Sequence, residues 1–113
     1  MSKGNPSPKG KNKKTSGTKH FNDEDVEILR HRDQYLVVDT DSDYVYLGKL
    51  LSISGHFITL GHADVHDRQE SASKNEKYIL DSKKYGVRTN RREVHIRLKR
   101  VVSYSLLDEV TDY

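Results

Sequence analysis

Apolar and polar residues alternate most clearly between Tyr44 and Ala63, YVYLGKLLSISGHFITLGHA, where Val45, Leu47, Leu51 and Ile53 form one run and Ile58 and Leu60 another. A period of two marks strands with one buried face, and the small turn formers Ser54 and Gly55 between the runs make the stretch a hairpin. A two-residue loop at that point sets Ile53 opposite His56, Leu51 opposite Ile58, Leu47 opposite His62 and Gly48 opposite Gly61. Two facing residues without a Cβ let a sheet bend sharply, as the corner of a small barrel requires.

The same reading extends along the chain. Tyr35–Thr40, YLVVDT, is β-branched and aromatic, and it runs into Asp39-Thr40-Asp41-Ser42-Asp43, whose side-chain acceptors suit a turn. Val94, Ile96 and Leu98, then Val102, Tyr104 and Leu106, alternate with polar residues and predict two closing strands. Asp23 to Arg32 is expected to be helical: Asn22 can cap it, Asp23, Glu24 and Asp25 complement the helix dipole, and Phe21 and Val26 have the spacing of a hydrophobic staple. A second helix is expected near Lys74 to Tyr85, with Ser73 and Glu76 at capping-box spacing and Gly86 as the left-handed residue that ends it. Asp64 to Ala72 and the basic stretch Val87 to Arg92 read as loops, and Asp108 to Tyr113 as a loose end. The fold class is mainly β: a small five-stranded, strongly bent antiparallel barrel over residues 21–107, with a short N-terminal helix and a second helix inserted between the third and fourth strands.

Composition refines this picture. At 113 residues, with equal shares of hydrophobic and charged residues at 33%, the chain supports one small domain plus an unfolded portion. Residues 1–20 hold six lysines and no acid, together with both prolines, and are expected to form a mobile basic tail. The remaining residues carry 14 bases against 17 acids, and these segregate along the sequence. Residues 21–43 hold eight acids against Arg30 and Arg32, while residues 68–100 hold eleven bases against four acids. The absence of cysteine excludes disulfides and thiolate chemistry. With no apolar run of membrane-spanning length and no hydrophobic leader, the expected location is the cytoplasm.

The motifs around the hairpin resemble those of the Sm-like family of ring-forming RNA-binding barrels. That family's first motif corresponds here to Gly48, Leu50, Ser54, His56, Phe57 and Ile58, and its second, isoleucine-arginine-glycine followed by an apolar residue, to Ile96, Arg97, Leu98 and Val101. The resemblance implies that His56 and Arg97 sandwich a base. Ile58 stands where the family has its base-reading asparagine, Ser54 where it has an aspartate and Leu98 where it has a glycine, so base selectivity is not carried over.

Candidate chemistry follows from these positions. His56, Arg88, Arg91, Arg92, Arg97, Lys99 and Arg100 form the candidate nucleic-acid-binding set, because guanidinium planes stack on bases and grip phosphates in pairs of hydrogen bonds. The same charges equally suit a solvated face or an acidic protein surface, including a second copy of the chain. Tyr44, Tyr46 and Tyr104 serve either as stacking platforms or as half-buried sheet residues. His62, Asp64 and His66 alternate and, on one face, could hold a divalent ion. The alternate aspartates after the first strand lack the glycine and distant glutamate of a calcium loop. No nucleophile elbow and no phosphate-binding glycine loop is present. The sequence therefore favours a non-catalytic protein that binds single-stranded RNA or another nucleic acid, needs no cofactor and has a second copy of itself as a candidate partner. A protein-interaction or assembly module is the alternative, and a metal-dependent hydrolase stands third.

Overall fold

The computed structural model describes residues 27–69 and 72–111 and contains one sheet of five antiparallel strands. These are β1 (Tyr35–Thr40), β2 (Tyr44–Ser54), β3 (Phe57–Asp67), β4 (Arg91–Arg97) and β5 (Val101–Leu106). Helix α1 (Ala72–Tyr85) is inserted between β3 and β4, and the spatial order is β4-β3-β2-β1-β5. The sheet is bent but not closed by hydrogen bonds: β4 and β5 are its two edges, joined by a three-residue 3₁₀ turn, Leu98–Arg100. The basic tail of residues 1–20 and the expected start of the first helix, including Asn22 and Val26, lie outside the described residues. The helical residues 27–29 bring Ile28 into the core with Leu29 packed beside it. After Asp33, in a left-handed conformation at φ 70°, the chain clips onto β2 through Asp33 N–H to Leu50 O at 2.8 Å.

The hairpin forms where the alternation predicts it, but its register differs. Gly55 and His56 make the turn, with Ser54 opposite Phe57 and Ile53 opposite Ile58. Two irregularities then offset each other. Between the pairs Ile53/Ile58 and Leu50/Leu60, β2 carries an extra residue next to Leu51; between Lys49/Gly61 and Leu47/Asp64, β3 carries an extra residue beside His62, whose φ is 47°. Gly48 consequently faces Leu36 of β1, and Gly61 faces Lys49; the two glycines are not cross-strand partners. Each still permits a close approach. A Cβ on Gly48 would lie 2.9 Å from Leu60 Cβ, and one on Gly61 would lie 2.8 Å from the Leu51 side chain.

These bulges change which residues share a face. Leu50 and Ile53 point into one core with Leu36, Val38, Ile58, Leu60, Ala63 and Ile96. Val45 and Leu47, expected on the same side, instead build a second cluster with Val37 and Leu107, covered by Tyr78 and Ile79 of α1. Leu51 turns outward over Gly61. Strand β1 is therefore buried on both faces, which is why YLVVDT reads as a continuous apolar run rather than an alternating one.

The later elements also depart from expectation in phase. Strand β3 runs four residues past Ala63, and β4 begins at Arg91, inside the stretch read as a loop. Leu98 belongs to the 3₁₀ turn rather than to a strand. The pairing between β1 and β5 shifts at Asp39/Thr40, so Val101 faces the core and Val102 is 69% exposed. Helix α1 starts at Ala72, which puts Ser73 inside the helix rather than at its cap. Gly86, at φ 99°, does end it, donating its N–H to Ser82 O at 2.9 Å. The chain after β5 is not loose at its start: Leu107 is buried in a second 3₁₀ turn and Val110 packs on the outer cluster. Among the described residues no helix is long and apolar enough to cross a membrane.

Candidate nucleic-acid interface

The turn between β2 and β3 meets the 3₁₀ turn between β4 and β5 at one end of the sheet. The contact is specified by backbone: Phe57 is the register partner of Arg97, and Leu98 N–H donates to His56 O at 2.9 Å. His56 and Arg97 are both exposed. The Arg97 guanidinium lies over the Phe57 ring, 5.4 Å from its centre, which holds the planar cation against an aromatic face while leaving it open to solvent. Phe57, in the first motif but not singled out as a functional residue, is the support for this arginine. No local signal reports this support, because 57 and 97 are paired between β3 and β4, across the inserted helix, and not within the hairpin.

The remaining basic residues separate. Lys99 is exposed on the 3₁₀ turn beside Arg97. Arg100 is engaged elsewhere: its Nε donates to Asp41 at 2.7 Å, and Asp41 N–H donates to Arg100 O at 3.0 Å. Arg91 lies six residues from Arg97 along β4, or about 20 Å at ~3.3 Å per residue. Arg88 and Arg92 accompany it, so these three arginines form a separate group at the far end of the strand.

Acids and bases that are segregated in the sequence are interleaved in the fold. The turn after β1 gathers Arg68 on Asp39 at 2.9 Å, Arg100 on Asp41 and the Gln69 amide on Asp43 at 2.8 Å. Arg68 also donates to the carbonyls of Thr40 and Ser42. The three alternate aspartates thus serve as acceptors that lock β3 and the 3₁₀ turn to the β1–β2 turn. Of the aromatic residues, Tyr46 and Tyr104 pack against the first core, and Tyr44 is 43% exposed.

His62, Asp64 and His66 are not brought to one site. The left-handed residue His62 is exposed, whereas Asp64 is buried and accepts the Tyr78 hydroxyl at 2.6 Å. His66 stacks on the Tyr78 ring, with centres 3.8 Å apart, and its Nε2 meets Asn75 Oδ1 at 2.9 Å. Among the described residues no group of three His, Asp or Glu side chains could hold a metal ion. The chemistry of this region is structural: α1 is pinned to the end of β3 by one buried carboxylate and one stacked imidazole.

Burial first, and then the hydrogen bond and charge of Asp64, push the Tyr78 phenol well above its ordinary range. Below about pH 10 the folded and unfolded chains both hold this proton; above it only the unfolded chain releases it readily, so stability falls as pH rises. Tyr78→Phe should remove that alkaline loss. At neutral pH it should cost roughly 1–3 kcal/mol by leaving a buried carboxylate without its donor. Thermal melts of the two proteins from pH 7 to pH 11 check both effects; parallel curves would mean that Tyr78 is not the group responsible.

No protein-family model matches the chain, and no curated protein matches it. Among solved structures, the fold is similar to that of an Sm protein of Pyrococcus abyssii in complex with a uridine heptamer, at a TM-score of 0.50 and 19% sequence identity. The match covers 76% of this chain and 99% of that one. The likeness is one of fold: a bent five-stranded antiparallel sheet of Sm-like architecture.

Proposed function

We propose that this chain is a non-catalytic RNA-binding small barrel that holds single-stranded RNA at the junction of its two turns, with Arg97, His56 and Lys99 as the contacting residues. The observation that carries this reading is the exposed Arg97 guanidinium held over Phe57 and tied through its neighbour Leu98 to the backbone of His56. A flat cation and an imidazole on one lip provide stacking surfaces for a base and a donor array for phosphate. The Sm protein of similar fold was solved with a uridine heptamer, which supports RNA as the ligand class.

The site lacks a reader of base edges. Ile58, at the position of the family's asparagine, is 1% exposed in the core and carries no polar group. The full chain should bind oligouridine, oligocytidine and oligoadenosine with affinities within about tenfold of one another, and each should weaken steeply as salt rises because phosphate contacts release counterions. Fluorescence anisotropy from about 25 to 300 mM salt provides the test. No binding at the lowest salt, or affinity insensitive to salt, would overturn the proposal. The proposal includes association between copies, because among the described residues both sheet edges are unpaired and Val102 is exposed on β5. Light scattering of the full chain should give a mass above 13.1 kDa, and a monomer at high concentration would remove that part.

A further inference from the structure

The densest run of positive charge in the fold lies away from the proposed RNA lip. Residues 83–92 contain Lys83, Lys84, Arg88, Arg91 and Arg92 and no acid, and all five bases are exposed. Lys83 donates to Val110 O, and Arg91 to Asn90 O. Lys84, Arg88 and Arg92 have no ion-pair partner among the described residues. In the middle of the run Tyr85 is 82% exposed, the most exposed of the large hydrophobic side chains, at the last turn of α1.

Tyr85, Arg88 and Asn90 border an open cleft of about 1060 Å³ between α1 and the end of β3. Its acids are already engaged. Asp64 takes the Tyr78 hydroxyl at 2.6 Å, Asp81 takes Lys77 at 2.8 Å and Asp67 takes Gln69 N–H at 2.8 Å. Arg88 lines the same cleft with no carboxylate on it; Asp64 and Asp67, whose hydrogen bonds come from uncharged donors, keep their charge, so the excess of positive charge lies in the exposed run 83–92 beside the cleft. Asn90 is fixed in place, exchanging hydrogen bonds with both backbone groups of Val65 at 3.0 and 3.2 Å, and this anchors the loop that carries Arg88. A bare aromatic ring that shares this rim with the unpaired Arg88 on an anchored loop, with the unpaired Arg92 at the start of β4, suits a polyanion with flat bases.

We infer that the junction of α1 and β4 is a second binding surface for single-stranded RNA, in which Tyr85 stacks a base and Arg88 and Arg92 take the neighbouring phosphates. This rests on the RNA reading of the chain. The two surfaces stand at opposite ends of β4, about 20 Å apart. An oligomer that reaches both gains from the high effective concentration of the second contact.

The test compares an oligouridine of about 7 nucleotides, within the ~4–16 nucleotides that one OB-fold occupies, with one of about 24, beyond it. Binding is measured at low salt to the full chain, to Arg97→Ala and to the double variant Arg88→Ala with Arg92→Ala. The long oligomer should bind wild type at least tenfold more tightly than the short one. The double variant should lose that gain and keep its thermal midpoint, since both positions are exposed. Photocrosslinking of thiouridine-substituted long oligomer should label Tyr85 or its peptide. A length gain that persists in the double variant, together with no crosslink in residues 83–92, would assign the gain to the lysine tail and overturn the inference while leaving the Arg97 reading intact. Short-oligomer binding that survives Arg97→Ala but fails in the double variant would do the reverse. No RNA binding at all would end both.

Discussion

Gly48→Val should lower the thermal midpoint by roughly 10 °C or more, the largest stability loss we expect from a single substitution in this chain. Gly48 is fully enclosed on the core side of β2. A Cβ there would sit 2.9 Å from Leu60 Cβ, 3.1 Å from Ala63 Cβ and 3.2 Å from Gly61 O, three atoms that cannot rotate away. Relief requires β2 and β3 to separate at the bend that defines the fold, and overpacking of a close-packed core costs about 1–3 kcal/mol before the extra methyls of valine are counted. Gly61→Val is the matched control. Its Cβ meets the end of the half-buried Leu51 side chain, which can swing outward, so the midpoint should fall much less. Chemical or thermal denaturation of the two variants gives the comparison, and equal losses would mean that the bend does not depend on Gly48.

Arg97→Ala should weaken single-stranded RNA binding about tenfold at low salt, equivalent to about 1.4 kcal/mol, and should make the salt dependence shallower. Loss of the guanidinium removes the cation above Phe57 and, on the proposed reading, one stacking plane and one phosphate contact. Arg97→Lys separates these contributions. An ammonium keeps the charge and hence the salt slope, but it lacks the planar fork and should recover only part of the affinity. Because Arg97 is exposed and its backbone is fixed by the pairing with Phe57, neither substitution should unfold the protein. An Arg97→Ala variant with wild-type affinity would remove the lip from the interface.

The strands were legible in the sequence because their apolar residues are either regularly spaced, as in the hairpin, or grouped in a short β-branched run, as in β1; the existence of both follows from that, but the end of β3, four residues past Ala63, does not. The phase within the hairpin was not. It depends on a left-handed residue at His62 and a bulge at Leu51, and neither position carries the glycine or asparagine that would announce one. The burial of Val45 and Leu47 on the outer face depends on a helix that arrives thirty residues later, so no local pattern could report it. The proximity of His56 and Arg97 was accessible only through the motif resemblance. The separation of Arg100 from the other basic residues was hidden, because its partner Asp41 lies at the opposite end of the sheet in sequence and next to it in space.

The double burial of β1 also bears on how the chain acquires its shape during synthesis. An emerging chain can lay down β1, β2, β3 and α1 early, but the edge of β1 that β5 covers, and the seat that Leu107 fills beside Val37, stay vacant until residues 101–107 have left the ribosome. Until then a valine-rich strand presents unused peptide groups to any neighbouring chain. The few residues from Val101 to Leu107 therefore guard a nascent chain against aggregation out of proportion to their number.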